Sequence, residues 1–426
     1  MPRQITVRLV DVPVSRGNRH GRPAAIYGGR RWVPLLGLMG SILMIAAILR
    51  SGIPGTAWIL DGMPVQSLEL VASPEGVDAL VFGRFKEEEP FRLAFLRSSN
   101  LGASFESPHF IETGSEEIIS NRRNSIRLNV DGDRIIAVYA VRGPYPGYGP
   151  LRIAVSKDAG RTFISGIQPV KGDPLENQSY PALIRDRHGV VHLFWLDDRE
   201  EAGSSAGLRT ARSMDDGLTW QDETTLDEKT CTCCDLAVSN LGNDDPGLLY
   251  RDENPRDMKL IEYQEPTDQW RVRSVVGDYN WQFEGCPHAG GALNRLGDQL
   301  DAVVWTGHEE HHGLHFLHSM DLGAHWQIDH LLDAEGTDPE LGAFGRSNRV
   351  VAFRHGSGPN AGISVIESHD GGHTWLTPKI AGGVGLKSER PRVIADAGGY
   401  RVFWTEGNLT SGKRVQSYYQ SWSQAQ

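Results

Sequence analysis

From about residue 57 onward, short apolar runs alternate with turn residues. "SYPALIRDRHGVVHLFWLDD" (179–198) and "RPRVIADAGGYRVFWTE" (390–406) each read as a strand, a tight turn and a second strand. Period-two alternation rich in Val, Ile, Leu and aromatics, punctuated by Gly and Asp, marks β-hairpins. Aligning the first strands puts Leu128, Leu183, Val238, Leu293, Leu341 and Val393 in equivalent positions, and the first three intervals are all 55 residues. "LELVASPEGVDALVFGRF" supplies one earlier copy near Val71. A fixed period of this length signals a repeat architecture, and each unit has room for a four-stranded blade. The pattern predicts an all-β propeller of seven four-stranded blades, with six as the alternative. "TAWILDG" near residue 58 is expected to supply the outer strand that closes the ring.

One stretch departs from the pattern. "WVPLLGLMGSILMIAAIL", between Arg31 and Arg50, holds eighteen uncharged residues with no polar face. A run of that length suits a membrane-spanning helix better than a buried globular one. Residues 1–33 carry seven arginines against a single acid, Asp11. By the positive-inside rule this basic flank stays in the cytoplasm. The expected layout is a cytoplasmic basic segment (1–31), a signal-anchor helix (32–50), a linker (51–56) and an extracytoplasmic propeller (57–426). That places a single-pass protein in the inner membrane, with the propeller in the periplasm or outside the cell. A cleaved signal peptide is the rival reading. The net charge of −11 leaves the body beyond residue 33 near −17. An acidic body argues against nucleic acid as a partner, because phosphate binding needs a basic face.

The hairpins are joined by a second repeat. "SKDAGRTF", "SMDDGLTW", "SMDLGAHW" and "SHDGGHTW" begin at Ser156, Ser213, Ser319 and Ser368, and "SSNLGASF" from Ser98 is a decayed copy. The aspartates Asp158, Asp215, Asp321 and Asp370 can bond N–H groups of their own turn, the glycine takes a positive φ, and the aromatic plugs the core. This signature resembles the Asp-box (BNR) repeat of sialidase-like β-propellers over about residues 57–426. The box is structural rather than catalytic.

Three of the four cysteines crowd into "EKTCTCCDLAV" (228–238), and the fourth is Cys286 in "FEGCPHAGGAL". Both segments lead into first strands of neighbouring units. Cys231, Cys233, Cys234, Cys286 and His288 are therefore expected to converge at one mouth of the channel. Two chemistries fit. One is a pair of disulfides, including a Cys286 bridge to Cys233 or Cys234 that staples the ring. The other is a soft-metal site for copper or zinc, since thiolates with an imidazole suit Cu(I) or Zn(II). The C-x-C-C … C-P pattern resembles that of a bacterial subgroup of sialidase-like proteins, which implies that the slot is a family feature. "GHEEHHGLHFLHSMDLGAHWQIDH" adds seven histidines, of which His308, His311 and His312 are candidates for an accessory metal site. "HEEHH" matches the zincin motif in letters, but that motif needs a helix, and Gly307 and Gly313 mark a hairpin loop.

Family sialidases clamp the substrate carboxylate with three arginines and use a Tyr–Glu nucleophile and an Asp acid/base. Arg122, Arg123, Arg346 and Arg390 are the mouth-proximal arginines here, Tyr418 and Tyr419 lie on the last unit, and "WLDDRE" offers Asp197, Asp198 and Glu200. No early R-I-P is present, and none of these residues carries over to a catalytic role. The expected function is a membrane-anchored binding or assembly module whose partner is a protein or a metal ion. The alternative is an exo-sialidase-type glycoside hydrolase acting on acidic sugars.

Overall fold

A computed structural model describes residues 57–173, 175–197, 199, 205–356, 361–384, 387–408 and 412–422. The basic segment, the expected anchor helix and the linker lie outside the described residues, as do Asp198 and Glu200. Among the described residues no helix is long and apolar enough to cross a membrane.

The chain folds as antiparallel sheets with only two short 3-10 turns among the described residues. A representative sheet runs outward through Ser179–Arg185, Val191–Asp197, Ser205–Ser213 and Gln221–Cys231. The equivalent first strands are Arg127–Asp131, Ala237–Asn240, Ala292–Leu296, Gly336–Phe344 and Ser388–Ala395. First strands of successive sheets contact one another in turn, and Ser388–Ala395 returns to Pro64–Ser73, so the ring closes around a central channel. The aligned residues pair as a repeat requires: Leu128 faces Ala137, Leu183 faces Leu193, Val238 faces Leu248 and Leu341 faces Val351.

The blade count and the closure both differ from expectation. Instead of seven separate blades there are five sheets of four or five strands and a sixth of seven strands. The seven-stranded sheet arises because Pro64 and Val65 pair with Arg414 and Lys413. After a register shift, Ser67–Ser73 continues as a first strand paired to Gly76–Phe82. One long strand thus serves two strand sets. The closing strand begins just after "TAWILDG", whose Trp58 bridges to Phe105 while its Gly62 N–H bonds the Val415 carbonyl at 2.8 Å.

The Asp-box turns show why this repeat stacks. In each of the four full copies the Ser hydroxyl donates to the Asp carboxylate at 2.8–2.9 Å and accepts the Gly N–H at 2.7–2.9 Å. The carboxylate also accepts the N–H of the residue four positions after the aspartate, Thr162, Thr219, His325 and Thr374. Gly372 has φ +93°, and a Cβ there would lie 2.1 Å from the Phe316 ring. The aromatic that ends this box, Trp375, packs edge-on against Phe316 of the preceding sheet with centroids 4.9 Å apart. Each box therefore ties a local turn to the neighbouring sheet, and burying such a ring contributes roughly 2–3 kcal/mol.

A charged channel beside a three-thiol corner

The first strands surround a cavity of about 230 Å³. One side is lined by small residues, Ala182, Ala237 and Ala292, and the other by Glu69, Arg127, Glu340 and Arg392. Arg127, Ala182, Ala237, Ala292, Glu340 and Arg392 each immediately precede one of the aligned apolar residues. Successive side chains of a strand point to opposite faces, which directs this register toward the channel, while Leu128, Leu183, Val238, Leu293 and Leu341 also border the cavity.

The charges in the channel are largely paired. Arg392 Nε is 3.0 Å from Glu69, and its Nη1 is 3.6 Å from Glu340. Arg127 reaches Asp235 at 3.3 Å and Glu69 at 3.6 Å. Nearer the mouth, Arg122 grips Asp338 through both terminal nitrogens, the shorter contact being 2.6 Å, and donates to the His288 carbonyl. Arg390 has no carboxylate within ion-pair distance among the described residues; it donates to the Asn121 and Arg122 carbonyls. Burial pushes the Asp235 carboxyl up, but Arg390, Arg127, Arg122 and Arg392 outweigh it and hold it below the ordinary range. At Glu340 burial wins over Arg392 and Arg127, with Glu69 and Asp235 opposing ionisation, and the carboxyl is pushed up to about 7.

That shift has a sign that can be tested. A carboxyl with a folded value of about 7 against an ordinary 4.5 holds its proton more tightly when folded. The associated stability is fully present below the unfolded value and is lost as pH rises through the folded one. Glu340→Gln should therefore gain stability relative to the wild type as pH rises from about 5 to about 8. Thermal melts at both pH values check this; parallel losses in the two proteins would remove Glu340 as the cause.

Tyr180 was not singled out by sequence reasoning. It lies 1% exposed, has φ +50° and leaves its hydroxyl without a hydrogen-bond partner. Asp338 and Arg390, three residues before their aligned apolar positions as Tyr180 is before Leu183, also have positive φ, at +52° and +56°. In all three strands the pairing register shifts there. Bulges re-aim side chains, and a bulky residue at positive φ is strained. A three-residue offset from the aligned positions was readable in the sequence, but the bulge was not.

The cysteines form a corner beside this mouth. The sulfurs of Cys231, Cys233 and Cys234 form a triangle with sides of 3.4, 3.2 and 3.9 Å. All three residues are at most 2% exposed. Cys231 ends the outer strand of one sheet, while Cys233 and Cys234 lie in the crossing to the Ala237–Asn240 strand of the next. Hydrogen bonds from Cys233 and Cys234 hold the Cys231 thiol far below its usual value. The complementary bond to Cys231 pushes Cys233 up, and burial pushes Cys234 up.

Of the five residues expected to converge, three sulfurs do so. Cys286 is exposed, and its sulfur lies 3.5 Å from the Thr232 hydroxyl rather than on Cys233 or Cys234. His288 touches the corner through its backbone N–H, 3.4 Å from the Cys233 sulfur. Its φ of +54° aims that N–H, and its carbonyl accepts from Arg122, so one peptide segment links thiols and channel. None of the cysteines lines the cavity, although Asp235, next to Cys234, does. All four thiols are free.

The remaining candidates are scattered. The three cysteines are the only group of three or more His, Cys, Asp or Glu among the described residues whose ligand atoms lie within 4.8 Å of one another. Of His308, His311 and His312, only the first two lie together, with ring centroids 5.4 Å apart. His311 lies against Tyr279 and His308, while His312 turns to Trp305. "HEEHH" forms a turn between strands, not a helix. Of the mouth arginines, Arg122 and Arg390 line the cavity. Arg123 stacks on Tyr148, and Arg346 sits exposed in a hairpin turn after its first strand. Tyr418 and Tyr419 lie on the Gly412–Ser421 strand away from the cavity, with Tyr419 46% exposed. Asp197 is buried, binding Arg199, Arg209 and the Trp195 ring N–H.

No family model matches the sequence, and no curated protein matches it. Among solved structures, the chain is similar to a PL25 polysaccharide lyase, an ulvan lyase, at 12% identity and a TM-score of 0.52, covering 85% of this chain and 95% of that one. A PL25 ulvan lyase bound to -[GlcA(1-4)Rha3S]- gives a TM-score of 0.51 at 12% identity, with the same coverages of 85% and 95%. The Hadza microbial sialidase Hz136 is similar at 13% identity and a TM-score of 0.46, covering 82% of this chain and 74% of that one. At 12% identity the likeness to the two lyase structures shows the fold alone, and what the chain shares with them is a β-propeller.

Proposed function

We propose that this protein is a non-catalytic binding or assembly module: a sialidase-like propeller, anchored by residues 32–50 in the inner membrane, that holds a soft metal ion on the thiolates of Cys231, Cys233 and Cys234. The observation that carries this reading is the sulfur triangle, since three buried sulfurs 3.2–3.9 Å apart have the spacing of ligands around one ion. Around a zinc held at ~2.3 Å, tetrahedral sulfurs would be about 3.8 Å apart. Among soft ions, copper and zinc are the candidates.

The second reading is a glycoside hydrolase acting on acidic sugars. It is favoured by Arg122 and Arg390 on the cavity wall. Against it, Arg122 is already committed to Asp338, and the expected tyrosines lie elsewhere. Tyr180 does border this region, but burial raises its hydroxyl above the ordinary value, and no carboxylate hydrogen-bonds it. A nucleophile needs an adjacent base or a lowered value.

The test is one preparation with three readouts. Full-length protein is recovered from carbonate-washed membranes, its thiols and bound metals are counted, and its turnover of a fluorogenic sialoside is assayed. The expected outcome is protein in the washed pellet, a soft metal near one equivalent and no turnover. A soluble chain removes the anchor. Two disulfides without metal leave the corner a structural staple. Turnover above a heat-killed control promotes the hydrolase.

A further inference from the structure

We propose that the Cys231–Cys233–Cys234 corner is a three-coordinate site for a monovalent soft cation, Cu(I), and selects it over Zn(II). This inference rests on the metal-binding reading above and goes on to name the ion.

Coordination number is the first argument. Structural zinc is almost always four-coordinate. Here three sulfurs converge and no fourth His, Cys, Asp or Glu atom among the described residues joins them. Two groups border the corner, and neither supplies the fourth ligand. The His288 backbone N–H points at Cys233 as a donor, and the Cys286 sulfur rests on Thr232. The corner is poorly suited to a water ligand: the three cysteines are at most 2% exposed, and an ordered water needs room and several polar partners. The triangle's circumscribed radius is about 2.0 Å, so an ion at a ~2.3 Å metal–sulfur distance lies about 1 Å above the sulfur plane. Bringing that ion into the plane needs sulfurs about 4.0 Å apart, so the 3.4 and 3.2 Å sides open while the 3.9 Å side already fits. Soft all-thiolate donors of this kind suit Cu(I).

Charge is the second argument. Three thiolates around a monovalent ion leave a net −2, against −1 around a divalent one. A buried charge of that size needs fixed counter-charge. Arg251 and Arg256 are buried, at 2% and 3% exposed, and no carboxylate lies within ion-pair distance of either among the described residues. Arg251 donates to the carbonyls of Ala289, Arg256 and Trp305, and Arg256 donates to that of Phe283. Ala289, whose carbonyl Arg251 holds at 2.9 Å, directly follows His288, whose N–H lies 3.4 Å from the Cys233 sulfur, so the guanidinium is fixed to the segment that borders the corner. Asp257, which takes the N–H groups of Asn280 and Trp281, offsets part of Arg251. The cationic floor therefore favours the more negative, monovalent-ion cluster.

The experiment is a competition titration of the reduced full-length protein with Cu(I) and with Zn(II), each against a chelator of known affinity. X-ray absorption on the wild-type Cu(I) form reports the ligands without any variant. We expect one equivalent of Cu(I) bound by three sulfurs, at least about a thousandfold tighter than Zn(II). Cys233→Ser should lose the site, whereas Cys286→Ser should leave Cu(I) affinity within about twofold. Zn(II) bound as tightly as Cu(I), with four ligands and equal loss in Cys286→Ser, would overturn the selectivity but keep a metal site. Fully reduced thiols that bind neither ion would instead defeat the metal reading itself.

Discussion

Replacing Asp301 by Asn should destabilise the propeller by about 3–5 kcal/mol, the cost of stranding a buried charge. The Asp301 carboxylate is 1% exposed and accepts from Arg349, whose side chain is 0% exposed. Its other oxygen takes the His318 ring N–H at 2.6 Å. Asp301 sits on Gln299–Thr306 and Arg349 on Asn348–His355, so the pair joins neighbouring sheets. With Asn in place the guanidinium keeps its charge and loses its counter-ion. The double variant Asp301→Leu with Arg349→Met removes both charges and should recover most of the loss, because such pairs are often replaceable by apolar residues. Urea denaturation of the three proteins measures this. A loss below about 1 kcal/mol in the single variant would mean that solvent reaches the pair.

Arg251→Met should cost about 3 kcal/mol or more, through buried carbonyls left without donors. The guanidinium reaches the Ala289 carbonyl at 2.9 Å and that of Trp305 at 2.7 Å, and it also meets that of Arg256. It thus ties the Pro246–Arg251 strand to the next sheet and to the segment that carries His288. Arg251→Lys keeps the charge but loses the planar fork, so it should recover less than half of the deficit. A Lys variant as stable as the wild type would show that charge alone matters there. Denaturant midpoints at constant slope separate these outcomes.

The parts of this protein that were legible in the chain are those set by near neighbours. The Ser–Asp–Gly turn from Ser156 to Phe163 closes on its own hydrogen bonds within four residues. The hairpin from Ser179 to Asp197 follows from alternation and one turn. The channel register was also within reach, because the residue before each aligned apolar position points the opposite way. The pairing of Glu340 with Arg392 and of Arg127 with Asp235 was not, since those partners come from different sheets.

By itself, then, the sequence determined an all-β repeat and a crossing that carries three cysteines. These depend on side-chain period and on turns whose bonds span a few residues. Only the tertiary structure decided the rest. Ring closure runs through Pro64 and Val65 pairing with residues some 350 positions away, and no local pattern marks that choice. At the thiol corner, Gly285 at φ +149° and His288 at φ +54° set the path of the Cys286 loop. That path delivers a backbone N–H to Cys233 and leaves the fourth sulfur at the surface. Spacing places a cysteine near a site, but the direction of its Cα–Cβ bond, set by backbone angles and by packing against the next sheet, decides whether the sulfur joins it.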